Sequence, residues 1–231
     1  MILNALLKTT MLTGALGAAI ACAVPAAAQI APAQPASGLG GFEAGKDYRV
    51  LSPPQSTSSA SDRVEVAEIF MFGCPGCFGL EPHLEMWLPT KPDYVSFVRI
   101  PAVWNAVAEL HARAYYTAQT LGKSDEFAGP FFDEVHKKGN PLNTLDALAE
   151  FFGRFGVDGK AFRDTFYSPA IDAKLARAQE LVKNYGVSST PTLVVNGKYV
   201  TTGSMAGTYG RWFAIIESLA ASEHIGGRAK P

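Results

Sequence analysis

The stretch FMFGCPGCFGL, from Phe70 to Leu80, sets Cys74 and Cys77 three residues apart at the end of an apolar run. That run, Val64 to Phe72 (VEVAEIFMF), is rich in β-branched and aromatic residues and is bounded by polar and glycine signals, which predicts a central strand. Phe78–Leu88 predicts a helix, interrupted by Pro82. A cysteine pair at such a strand-to-helix turn places Cys74 at a helix start, where unpaired N–H groups and the macrodipole favour a thiolate. A thiolate there is both the attacking and the leaving group in disulfide exchange. Cys77, one turn further in, is expected to be buried and to resolve the mixed disulfide. Pro75 suits the first helical turn, because its missing N–H is not needed there.

Two other uses of the pair fit less well. Structural zinc takes four ligands, usually from two such pairs or a pair plus closely spaced histidines. Here no second pair exists, and His83, His111, His136 and His224 are scattered; they read as ordinary surface or satisfied residues. A purely structural disulfide closing so small a loop removes little entropy from the unfolded chain.

The N-terminus bears on the compartment. Residues 1–28 carry one charge, Lys8, then an apolar small-residue run, with Ala26 and Ala28 fitting a cleavage site before Gln29. That order reads as a cleaved secretory signal peptide. A retained anchor and a lipid attachment at Cys22 are the competing readings; the run is short and Gly-rich for a bilayer of ~30 Å. Of the 20 Lys and Arg and the 21 Asp and Glu, only Lys8 lies in the leader, so the mature chain carries a net charge of −2. Such a balance gives no electrostatic reason to expect nucleic acid or anionic membrane as a partner. The chain has three cysteines, and the third, Cys22, leaves with the leader. One remaining pair in an oxidising compartment is not expected to stay an idle dithiol.

Residues 29–47 read as a flexible Pro/Ala/Gly-rich tether and 223–231 as a C-terminal tail. Tyr48–Leu51 predicts a short edge strand and Tyr94–Ile100 a further strand stopped by Pro101. Helical spacing of Ala, Leu and Phe follows over 106–122, 127–138, 144–155, 160–166 and 171–185. Thr192–Val195 and Lys198–Thr201 flank Asn196-Gly197, a strong hairpin signal. A helix over Tyr209–Ala221 ends the order. Strand–helix–strand favours a parallel crossover and the hairpin adds antiparallel strands, with the helical block inserted between them.

Alternation along the first long strand puts Val66, Glu68, Phe70 and Phe72 on one face. A carboxylate among apolar side chains fits either a proton relay to Cys77 or a pairing with a base such as Arg99. Glu81 lies four residues after Cys77 on the same helix face, as an active-site acid or a solvated helix glutamate. Trp104, Phe78 and Met205 read as core or rim packing.

At FGCPGC, followed far downstream by GVSSTPTLVVNGKY, the chain resembles the bacterial periplasmic disulfide oxidases of the DsbA family. The resemblance implies an α/β thioredoxin fold in two parts, 48–104 and 187–222, with an inserted helical domain over 105–186. It implies Cys74 as nucleophile, Cys77 as resolving thiol, and Pro191 as a cis-proline facing the pair. Thr190 beside it would offer backbone hydrogen bonds to a substrate strand, with Pro75 and Gly76 on the same binding surface. Glu68 and Glu81 match acidic positions near the buried cysteine, Arg99 a basic one, and Pro82 a kink in the active-site helix. Gly76 stands where many members carry His, and Thr190 where the oxidases usually carry Val; both departures predict a weaker oxidant. The implied activity is donation of the Cys74–Cys77 disulfide to unfolded or partly folded exported proteins in the periplasm, by a monomer without cofactor. A membrane quinone-linked partner would restore the disulfide. A periplasmic reductase and a non-enzymatic chaperone are the rival readings.

Overall fold

Val64–Phe70 forms strand β2 with every side chain buried, as expected of a run flanked by strands on both sides. The computed structural model describes residues 40–228; the expected leader 1–28, with Cys22, and tether residues 29–39 lie outside the described residues. β2 pairs in parallel with β3 (Val95–Pro101), Glu68 opposite Arg99, and antiparallel with β4 (Thr192–Val195), Glu68 opposite Leu193. Helix α1 (Pro75–Trp87) is the crossover between β2 and β3. β4 turns into β5 (Tyr199–Thr202), and β1 (Arg49–Val50) closes the edge, giving the order β1-β5-β4-β2-β3. This is the thioredoxin-type α/β sheet, with a block of helices between β3 and β4.

The hairpin forms for the reason its sequence suggests. Asn196 and Gly197 both take positive φ, 52° and 61°. Gly197 is required for a second reason: a Cβ there would lie 2.1 Å from the Gln55 carbonyl oxygen.

Alternation splits the core into two faces. Val64, Val66, Leu193 and Val195 pack against Leu80, Leu84 and Trp87 of α1 and against Trp212, Ile215 and Leu219 of α8 (Tyr209–Arg228). Ala67, Ile69 and Val194 face the opposite way, toward Leu175, Ala178 and Val182 of α6 (Pro169–Asn184). That second core continues into α2 (Ala106–Thr120), α3 (Ser124–His136), α4 (Leu145–Gly153) and α5 (Gly159–Phe166) through phenylalanines. Phe72 stacks on Phe131 at 4.1 Å, Phe127 lies 5.0 Å from Phe152, and Phe152 4.6 Å from Phe162. Phe72 thus ties the cysteine motif to the helical block.

Several expectations are corrected. Residues 223–228, assigned to a tail, are helical: Glu223 accepts from Asn196 Nδ2, Lys198 Nζ and the Tyr199 hydroxyl, and His224 stacks on Tyr94. Residues 42–47, assigned to the tether, are pinned. The buried Asp47 carboxylate accepts from Glu43 N and from Arg211 Nη2 of α8, and Phe42 packs against the core. Helix α1 begins at Pro75 rather than Phe78 and continues through the exposed Pro82. A short helix, α7 (Gly203–Ala206), capped by Thr202, was not anticipated.

Phe131 is fully buried in the aromatic stack. Phe131→Ala is expected to cost about 3–5 kcal/mol of stability in urea unfolding. Tyr167→Ala, at a residue 62% exposed, should stay within about 0.5 kcal/mol of the parent.

Candidate active site

β2 ends one turn before α1, and Cys74 occupies the N-cap between them in an extended conformation, φ −89° and ψ 117°. Its Sγ accepts from the Cys77 N–H at 3.4 Å, one of the helix-start donors that has no helical carbonyl to meet. Pro75 follows at the first helical position. The Cys74 thiol also lies 3.3 Å from the Thr190 carbonyl oxygen, to which it donates. Thr190–Pro191 is a cis peptide, and it stands directly across from the motif. A Cβ on Gly76 would lie 3.1 Å from Pro191 Cδ and 3.7 Å from Cys74 Sγ, so the glycine allows the two loops to approach closely.

The two sulfurs differ strongly. Cys74 is partly exposed, whereas Cys77 is fully buried. The Cys77 thiol donating to Cys74 sulfur holds the Cys74 pKa down, from 9.0 to about 5, against the opposing effect of burial. The Thr190 side chain and the N–H groups of Cys77 and Gly76 add to the lowering. Cys77 is pushed the other way, by its bond to Cys74, by burial and by the charge of Glu68. The pair is therefore one thiolate and one thiol.

Below the cysteines, β3 and α1 bring two carboxyl groups to one guanidinium. Arg99 Nε donates to Glu68 Oε2 at 2.9 Å and Nη2 donates to Glu81 Oε1 at 2.5 Å. The register that sets Glu68 beside Arg99 makes this contact unavoidable. Burial raises the Glu68 pKa, and it pushes Glu81 up to about 7, in each case against the pull of Arg99. Arg99 itself stays protonated, its two acids outweighing the burial that would lower it. One cation cannot compensate two buried anions, so one carboxyl keeps a proton near neutrality. Glu68 Oε1 is buried and without a hydrogen-bond partner among the described residues, which adds to the cost of ionising that carboxyl.

The structure therefore brings Cys74, Pro75, Gly76, Cys77, Thr190 and Pro191 together around one sulfur, with Glu68, Glu81 and Arg99 beneath. Of the two meanings offered for Glu68, the pairing with Arg99 is present, and the charge of Glu68 also raises the pKa of Cys77. Trp104 is 43% exposed, and Phe78 and Met205 are partly buried. His136, read as an ordinary histidine, reaches the motif: its Nε2 donates to the Phe72 carbonyl oxygen at 2.7 Å and its ring stacks on Phe78. Nothing in its local sequence pointed there, because the contact comes from the way α3 packs beside α1.

Comparison with known proteins agrees with this geometry. Residues 68–207 match the family model of the DSBA-like thioredoxin domain. A thiol:disulfide interchange protein DsbA of Burkholderia cepacia is 35% identical over 207 residues, covering 88% of this chain and 91% of the relative. The crystal structure of Pseudomonas aeruginosa DsbA superposes with a TM-score of 0.74 at 32% identity, covering 80% of this chain and 95% of that one. The oxidoreductase DsbA from Xylella fastidiosa gives 0.74 at 29% identity, with 79% and 97% covered.

The Cys74 shift fixes a pH window. A thiol whose folded pKa is depressed stabilises the folded reduced protein fully above pH 9, and that stabilisation is lost as pH falls through about 5. The thiolate ultraviolet absorbance of the reduced protein should titrate with a midpoint near 5. Cys77→Ser should keep a low-pH transition, and Cys74→Ser should abolish it.

Proposed function

The chain belongs to the DsbA family of thiol:disulfide oxidoreductases, and we propose that it donates the Cys74–Cys77 disulfide to exported proteins as they fold in the periplasm. The observation that carries this reading is the asymmetry of the pair: a half-exposed Cys74 sulfur held as a thiolate to about pH 5 above a buried Cys77 thiol. Stabilising the reduced form makes its oxidised form the stronger oxidant, each tenfold in thiolate preference amounting to about 1.4 kcal/mol.

The exchange runs in two steps. A substrate thiolate attacks Cys74 Sγ, the Cys74–Cys77 bond breaks, and its electron pair leaves on Cys77. Cys77 is a poor leaving group as a buried anion, so it takes a proton as it departs. The Glu68–Arg99–Glu81 cluster, with Glu81 at about 7, is poised to supply that proton. The substrate's second thiolate then attacks its own sulfur in the mixed disulfide and expels Cys74 as a thiolate, an easy departure for a group of low pKa. Two electrons have passed from substrate to protein, and the substrate holds a new disulfide. Cys74 is the nucleophile when the reaction runs in reverse.

Around the sulfur, the backbone of Thr190 and the ring of Pro191 supply one wall of the substrate site, and Pro75 and Gly76 the other. Gly76 keeps the opening free of side chain, which suits an extended peptide laid against the Thr190 backbone. A membrane quinone-linked partner that removes the two electrons and a monomeric working form belong to the same proposal.

The test is oxidation of a reduced, unfolded protein by stoichiometric disulfide-form protein, followed by the loss of substrate thiols. Cys74→Ser should abolish transfer. Cys77→Ser, premixed with a substrate disulfide, should accumulate a mixed disulfide through Cys74 that resolves slowly. Glu68→Gln should slow release of Cys77 by about 100-fold, the lower end of the range for a positioned acid. Retained activity in Cys74→Ser would instead support a chaperone that holds unfolded chains.

A further inference from the structure

We infer that His136 is a positioning residue for disulfide exchange, clamping the chain where it enters and where it leaves the Cys74–Cys77 segment. The inference rests on the exchange reading above and assigns a role to a side chain outside the motif. His136 is the last residue of α3, in the inserted helical block. Its Nε2 stands 2.7 Å from the Phe72 carbonyl oxygen. A carbonyl only accepts, so Nε2 carries the proton and donates. The same ring lies flat on Phe78, with centroids 4.7 Å apart and planes 8° apart, and is backed by Phe132 at 6.1 Å.

Phe72 comes two residues before Cys74, and Phe78 follows Cys77 directly. One imidazole therefore holds both ends of the Cys74–Cys77 segment: the entry by a hydrogen bond, the exit by a stack. The entry needs such a hold. Gly73, the single residue between Phe72 and Cys74, has nothing within 4 Å of where a Cβ would stand and has a glycine's freedom of φ. Other local restraints are the Cys74 N–H bond to the Met71 carbonyl, 3.1 Å, and the packing of the Phe72 ring among Phe70, Phe127, Phe131 and Phe132. Neither fixes the direction of the Phe72–Gly73 peptide plane; the His136 bond does.

Position matters here because the thiolate is held by weak, distance-dependent contacts. The thiolate is held by the Cys77 N–H, 3.4 Å from Cys74 Sγ, and by the Gly76 N–H, both donors of the helix start. A small rotation of the entry peptide lengthens them and weakens the thiolate. Lys137 reinforces the exit, its Nζ standing 5.7 Å over the Phe78 ring. The helical block thereby takes part in setting the redox balance of cysteines carried by the sheet domain.

The test equilibrates wild type, His136→Phe, His136→Gln and His224→Gln with glutathione buffers and titrates Cys74 in each reduced protein. His136→Phe keeps a stacking ring and loses the donor. Its equilibrium constant for oxidising glutathione is expected to fall about tenfold, which corresponds to 29.6 mV for a two-electron couple, and its Cys74 midpoint to rise. His136→Gln keeps an N–H donor and should recover part of both; it carries the test should His136→Phe fail to fold. His224→Gln, stacked on Tyr94 at the other end of the sheet, should match wild type. Unfolding of the oxidised variants, measured alongside, separates stability from redox balance. Wild-type potential and midpoint in both His136 variants, with only stability reduced, would overturn the clamp and leave the exchange reading standing. A wild type that does not exchange with glutathione at all would overturn that reading, and the clamp with it.

Discussion

The sulfur of Cys74 stands at the start of α1, where backbone N–H groups have no helical carbonyls to bond, and much of the molecule serves to keep it there. β2, buried on both faces between β3 and β4, delivers the chain to that point and holds its direction. α1 is anchored beneath by Leu80, Leu84 and Trp87 against the sheet and α8. With the helix fixed, its N-terminal donors have one orientation, and the sulfur that meets them is stabilised as an anion before any substrate arrives. The Thr190–Pro191 loop, carried on the start of β4, closes the other side.

A second constraint follows from the first. A thiolate on Cys74 goes with a proton on Cys77, and Cys77 is fully buried. Parallel pairing of β2 with β3 sets Glu68 beside Arg99, and the α1 register adds Glu81 four residues after Cys77. Two acids on one base leave one proton to move near neutral pH. The charges of this arrangement are not balanced unless one carboxyl holds a proton, and the proposed delivery of a proton to Cys77 rests on that imbalance.

Much of this was legible in the sequence because it is local. The strand running into Cys-Pro-Gly-Cys, Pro75 at the first helical position and Asn196-Gly197 between two strands are each encoded within a few residues. Alternation along β2 was enough to put Glu68 on the α1 face. What escaped was set by partners far away in the chain. Residues 42–47 read as tether until Arg211 of α8 meets Asp47, and the stretch from Glu223 reads as a polar tail until Glu223 meets the hairpin. His136 looked like any surface histidine, since its two contacts, with Phe72 and Phe78, depend on how the inserted helices dock beside α1. Helix α1 continues through Pro82, which lies exposed inside it, while Leu80, Leu84 and Trp87 hold the helix to the core.

The fold holds Cys74 as a thiolate and so favours the disulfide form as a donor, even with glycine between the cysteines. The reduction potential of the wild-type pair in glutathione buffers tests it most directly. Thioredoxin lies at about −270 mV and a strongly oxidising DsbA at about −120 mV. The account predicts a potential well above the thioredoxin value. A potential at or below that of thioredoxin would contradict it, and would mean that Gly76 and Thr190 have set the site for reduction.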